Sequence, residues 1–410
     1  MIGRGLLTTL LLLPSARAYS VLTHEAIIDS AWEDALQPVL VRKFPNATAE
    51  QLRDARAFAY GGAIIQDLGY YPFGSRFFGD LVHYARGGDF IENLVADARD
   101  LNEYAFALGA LAHDAADNYG HPIGINPTVP LLYPKLRARY GSMITYQDSP
   151  KAHLRVEFGF DVVQVANGNY APQAYHDFIG FKVARPLLER VFRKTYSIDL
   201  EDQFLSFDLA IGTYRYTVSQ LIPAMTKLAW QIKKDEIAAA PSGLTRQKFI
   251  YNLSRRSYEN EWGREYKRPG CFTRLLATLF RVIPKVGPLR ALAFRPPGPE
   301  AQKLFMESFN AALDRYRRQL AAVRAGEDLQ IPNRNFDTGE PTRFGAYRRA
   351  DETWEDLVKK LAKEKTGGLD RDLSTAVRQF YGGKSPQDPS AAAALAALLA
   401  SDPGPRTTRQ

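Results

Sequence analysis

An all-α fold is predicted by three features of this 410-residue chain. Apolar and small residues recur at helical spacing through most of it, and capping and stop signals bracket those stretches. No alternating apolar and polar run is long enough for a convincing sheet. The expected architecture is a multi-helix core followed by a basic helical C-terminal extension.

The first element is not part of that core. Arg4, the apolar run 6–13, Pro14 and the small-residue ending Ala16-Arg17-Ala18 have the three-part layout of a secretory signal peptide. Residues 1–18 are therefore expected to be removed on export, to the periplasm or outside the cell, with Tyr19 as the new N-terminus. The run is too short to span a bilayer, and no other stretch reaches the roughly eighteen apolar residues that a membrane helix needs. Cys271, the single cysteine, cannot form an internal disulfide, so core burial and bound metal are expected to stabilise the exported chain.

Thr48-Ala49-Glu50-Gln51 is a capping-box pattern that opens a helix running toward the Gly61-Gly62 pair. From 100 to 119, Leu101, Tyr104, Ala105, Leu108, Leu111, Ala112 and Ala115 keep helical spacing, while Ala107, Gly109, Ala110, Ala112 and Ala116 let neighbouring helices approach. This helix is expected to be buried and to stop at Gly120-His121-Pro122. A Pro- and Tyr-rich loop over 123–150 should lead into a helix carrying His153 and Glu157. Further helices are predicted over 172–194, 202–240, 299–323 and 351–365, and residues 382–410, rich in Gly, Pro, Ser and Ala, are expected to form a disordered tail with at most a weak helix.

The best boundary is Pro241-Ser242-Gly243, where the charge changes. Residues 241–410 hold 30 Lys/Arg and 19 Asp/Glu, a net of +11, which leaves 1–240 at −3. The expected units are 19–240 and 241–381. A cationic region suits an anionic partner, a phospholipid surface or a nucleic acid. Within it, 266–299 holds seven Lys/Arg and no acid, interleaved with apolar residues, and could lie against an anionic bilayer, although Pro284 and Pro288 also fit a folded helical hairpin.

Five of the six histidines lie between His24 and His153. His113, Asp117 and His121 stand at i, i+4 and i+8, displaced by only about 40° per step on a helix, and His153 and Glu157 repeat the i, i+4 spacing. Two such helices packed together can enclose cations, and imidazole plus carboxylate is a ligand set that suits zinc. His176, in Tyr175-His176-Asp177, fits no ligand interval and reads as structural. Tyr70 and Tyr71 flank Asp67 before Pro72, where they either contact substrate or pack a loop.

These residues resemble the zinc-dependent phospholipase C and single-strand nuclease superfamily, all-α enzymes with three clustered zinc ions. The resemblance covers about 19–160. It implies that Asp67, His83, His113 and Asp117 hold one ion, that His121, His153 and Glu157 hold another, and that Tyr19, His24 and a shared Asp117 hold the third. Asp67 is then the candidate general base. Glu157 matches the phospholipase form, whereas the five-residue step from Tyr19 to His24 matches the nucleases. The implied activity is zinc-dependent phosphodiester hydrolysis, on phospholipid or, alternatively, on single-stranded nucleic acid. A third reading is an exported binding protein in which the zinc is structural.

Overall fold

The computed structural model describes residues 21–166, 181–218, 222–233, 293–364 and 370–401. Tyr19, His176, Cys271 and most of the basic segment 266–299 lie outside these residues. Helices follow one another as α1 (Val21–Ala31), α2 (Gln37–Lys43), α3 (Ala49–Ile64), α4 (Arg76–Tyr84), α5 (Gly87–Asp97), α6 (Leu101–Tyr119), α7 (Asn126–Leu132), α8 (Pro134–Tyr140), α9 (Pro150–Ala166), α10 (Arg185–Tyr196), α11 (Phe207–Tyr216) and α12 (Ile222–Ile232). Then come α13 (Pro299–Ala325), α14 (Arg348–Glu364), α15 (Arg371–Tyr381) and α16 (Pro389–Ser401). No strand occurs among the described residues, only an isolated bridge between Arg334 and Pro341. None of their helices is long and apolar enough to cross a membrane.

The middle of the fold is α6, buried from Glu103 to Asn118. Asp100 caps it by accepting from the Asn102 and Glu103 backbone N–H groups. It lies against α3 at a separation only glycine allows. A Cβ on Gly109 would fall 2.0 Å from the Ala59 carbonyl oxygen, and one on Gly62 would fall 1.9 Å from that of Phe106. The capping box at Thr48 and Gln51 forms as expected. However, α3 runs through Gly61-Gly62 to Ile64 instead of ending there. Glycine costs a helix only about 1 kcal/mol relative to alanine, and close burial against α6 offsets it.

Two other segments depart from the expected layout. After Tyr119 the chain does not enter a long loop. It widens into a π-helical turn, Gly120–Ile125, and continues through α7 and α8, leaving Tyr133 and 141–149 irregular. Pro122 lacks the N–H for the regular ladder, and a widened turn absorbs that loss without ending the helix. The expected tail is also ordered as far as Ser401: α16 buries Ala391, Leu395 and Leu398, and α16 packs against α14. Its alanines have the highest helix propensity, and a docked apolar face adds what the isolated segment lacks.

The basic extension shares one hydrophobic core with the N-terminal helices. α13 lies along α6 and the π-helical turn. Tyr316 donates to the Leu108 carbonyl at 3.0 Å, and Phe305 stacks on Phe160 of α9 with centroids 4.6 Å apart. Ser308 sits under Gly124, where a Cβ would meet its hydroxyl at 2.5 Å.

Replacing Gly109 by Ala should force α3 and α6 apart. The expected loss is about 1–3 kcal/mol of stability, as for other overpacked cores. Chemical denaturation measures it, and an unchanged midpoint would show that the contact is not tight.

Candidate metal centre

α6 supplies the axis of the site. His113 and Asp117, one turn apart, place Nε2 and Oδ2 3.2 Å from each other, both side chains fully buried. α1 crosses α6 and stacks His24 on His113, with centroids 4.3 Å apart and planes within 8°, so that His24 Nε2 lies 3.5 Å from Asp117 Oδ1. α3 runs into the 3-10 turn Ile65–Tyr70, which carries Asp67. Gln66 holds that turn to α6 by donating to the Ala110 carbonyl. α4, capped by Ser75, ends in the turn that bears His83, whose Nε2 is 3.5 Å from Asp67 Oδ1 and 3.6 Å from Asp117 Oδ2.

The π-helical turn decides where His121 points. At i+8 on an unbroken helix it would share the face of His113 and Asp117. Instead its Nε2 lies 3.6 Å from Glu157 Oε1 on α9, where His153 Nε2 is 3.0 Å from the same oxygen. The ligating atoms thus form three groups, His24–His113–Asp117, Asp67–His83–His113 and His121–His153–Glu157, with the atoms of each within 4.8 Å of one another. These are all the sequence-predicted ligands that lie among the described residues. The first two groups share His113, and Asp117 also faces His83.

Three imidazoles are oriented from behind. Nδ1 contacts a backbone carbonyl in His83 (Gly79, 2.7 Å), His113 (Ala63, 2.8 Å) and His121 (Phe336, 2.9 Å). Each carbonyl can only accept, so Nδ1 carries a proton in all three and Nε2 is turned inward, where it can ligate once unprotonated. Asp67 Oδ1, both oxygens of Asp117, Glu157 Oε1 and His153 Nε2 are buried and make no hydrogen bond. Buried polar atoms are ordinarily paired, so this clustering of unsatisfied acceptors fits divalent cations, and the imidazole and carboxylate donors suit zinc.

The electrostatics fit the same reading. Burial, then the His113 charge, holds the His83 imidazole down to about 3, so it remains a neutral ligand. His24 is lowered by the same two causes. Burial, then Asp117, then Glu157, pushes Asp67 well above the usual carboxylate range. Burial opposes ionisation of Asp117, but His113 and His121 outweigh it and hold its carboxyl well below that range. For His121 burial is outweighed by the carboxylates of Asp117 and Glu157, and its imidazole is raised to about 10.

Tyr70 and Tyr71 are both buried. Tyr70 packs on His83 with centroids 5.4 Å apart, and Tyr71 packs on Tyr214 at 4.3 Å. They pack the site and offer no open stacking platform. Sequence reasoning missed Asp161, which accepts from Thr23 at 3.0 Å and ties α1 to α9. Its signal was present, since it continues the i, i+4 series of His153 and Glu157. It also missed Phe336 and Asp337 on the C-terminal side, whose turn carries no periodic signal.

Residues 23–204 match the family model described as zinc dependent phospholipase C. No curated protein and no solved structure matches the chain significantly.

His121, its imidazole raised to about 10, holds a proton that a cation at the His121, His153 and Glu157 group must displace. Proton and cation compete, so affinity for zinc at this group should fall as pH falls, by about tenfold per unit for one proton released. Competition with a chromophoric chelator between pH 8 and 6 measures the slope, and a flat profile would remove His121 from the ligand set.

Proposed function

Starting from the match of residues 23–204 to the zinc-dependent phospholipase C family model, we propose that the mature chain, exported and beginning at Tyr19, cleaves phospholipid on the glycerol side of the phosphate. The observation that carries this reading is the buried set of three adjoining ligand groups, in which unsatisfied carboxylate oxygens face inward-turned imidazole nitrogens. The reaction is hydrolysis. Water oxygen bonds to phosphorus, the bond from phosphorus to the glycerol oxygen breaks, and the proton lost by water ends on that oxygen.

His24, His113 and Asp117 would hold one cation, Asp67 and His83 with His113 a second, and His121, His153 and Glu157 a third. Zinc in these positions would polarise a phosphoryl oxygen and lower the pKa of the attacking water. Asp67 is the group that takes the proton from that water. Its carboxyl, raised by burial and by two neighbouring carboxylates, binds a proton more tightly than an exposed aspartate does. His83, held neutral by burial, turns Nε2 to within 3.5 Å of Asp67 Oδ1 and does not compete for the proton. Phe336 and Tyr70 pack on the His83 ring and keep its edge dry. The exclusion of bulk water strengthens every charge interaction in the cluster.

Elemental analysis of the mature protein and two assays on the same preparation test the reading. Release of phosphorylated headgroup from mixed phospholipid vesicles, with up to three zinc ions per chain, is the expected result. Nucleotide release from single-stranded DNA alone would move the chain to a nuclease activity, and bound zinc without cleavage of either substrate would leave a structural metal site. Asp67→Asn should retain the fold by circular dichroism and lower kcat by about 10²–10⁴-fold, the range for a lost general base. Turnover within threefold of the parent would exclude Asp67 from that role.

A further inference from the structure

The three candidate groups all come from residues 24–157, yet the groups that face His121 Nδ1 from behind belong to a segment far outside the family match. The turn 335–338 reaches into the site between α4 and the π-helical turn. Its attachments are several. The Phe336 N–H donates to the His83 carbonyl at 3.3 Å, and the Asn126 side chain donates to the Asp337 carbonyl at 2.7 Å. The Asn335 side chain accepts from the Asp337 N–H at 2.9 Å, which closes the turn on itself.

From this anchored turn two groups face His121. The Phe336 carbonyl accepts from Nδ1 at 2.9 Å, and Asp337 Oδ1 lies 3.8 Å from the same nitrogen. The Asp337 side chain is 4% exposed, and its other oxygen accepts from the hydroxyls of Tyr84 at 3.1 Å and of Tyr347. A buried carboxylate with two phenol donors on one oxygen is expensive to place unless its second oxygen also faces the positive end of a polar group. Here the nearest positive group is the Nδ1–H end of the His121 imidazole, 3.8 Å away.

We propose that Asp337 is a positioning residue for the His121–His153–Glu157 metal group, acting through His121, so that this group is complete only when the C-terminal segment 333–347 is docked. The inference rests on the reading of the cluster as a metal centre. Asp337 does not ligate, and it touches neither cation nor substrate. It holds the Nδ1–H tautomer and the ring angle from behind, and thereby presents the Nε2 lone pair beside Glu157. Carboxylates behind a ligating imidazole have this effect in metal sites, and their loss typically lowers metal affinity about 10- to 100-fold.

The test uses the full mature chain. Asp337→Asn retains the shape and removes the charge, and Tyr347→Phe removes one phenol donor and leaves the turn backbone intact. Each is loaded with zinc or cobalt, dialysed against graded chelator, and its ions counted. The expected result is that one equivalent dissociates about tenfold or more readily while the others are retained, and that the visible spectrum of the cobalt form changes. In a His121→Ala background, Asp337→Asn should cost nothing further, because the ligand through which it acts is gone. Raised zinc should restore kcat with KM unchanged. Parental affinity for every equivalent in both variants would overturn the proposal, as would a parallel weakening of all of them that tracks the melting temperature. A parent chain that binds no ion would sink the metal-centre reading as well, and so is distinguishable from failure of this inference alone.

Discussion

Three carboxylates and five imidazoles converge in the buried core, in three groups whose ligating atoms lie within 4.8 Å of one another. The rest of the structure answers to that concentration of unmatched acceptors. Taking an ion out of water costs several kcal/mol even after relaxation, and the cost is recovered only by well-placed opposite charge. Among the described residues of the site, the imidazoles supply part of that charge: they hold Asp117 ionised, whereas burial drives Asp67 toward its protonated form. Divalent cations would satisfy the remainder, and in doing so they would make the site a source of folding stability.

Delivering the ligands depends on distances that only a few side chains permit. Helix α6 carries two ligands from the shared groups, and its contact with α3 through Gly62 and Gly109 brings the Ala63 carbonyl to Nδ1 of His113. That same approach carries the chain onward to Asp67. On the other side, a single widened turn at Gly120–Ile125 rotates His121 away from His113 and into reach of α9. One helix therefore serves two separate groups. π-helical turns cost a little hydrogen-bond geometry and recur at functional sites for this reason.

The basic C-terminal helices are bound into this arrangement. α13 packs along α6 and the π-helical turn, α14 sets Arg349 against Asp80 and over the rings of Tyr84 and Tyr146, and the 335–338 turn reaches His121. Tyr146 in turn packs on His153 with centroids 5.7 Å apart. Charge composition separates the two halves of the chain, but packing joins them. A net charge describes solvent-facing atoms, whereas the shared core is made of apolar faces that both halves contribute.

Sequence alone determined the helical class and the main histidine–carboxylate pairs, because these are local properties. Periodicity of 3.6 fixes which residues share a face, so His113 with Asp117 and His153 with Glu157 could be read directly. The capping box at Thr48 was legible for the same reason. Tertiary structure decided the π-helical turn, the passage of α3 through Gly61-Gly62, the docking of α16, and the arrival of Phe336 and Asp337 behind His121. None of these follows from local preference. Each exchanges a local penalty, such as a missing proline donor, a glycine in a helix or a buried carboxylate, for contacts with residues far away in the chain, and local spacing carries no record of those partners.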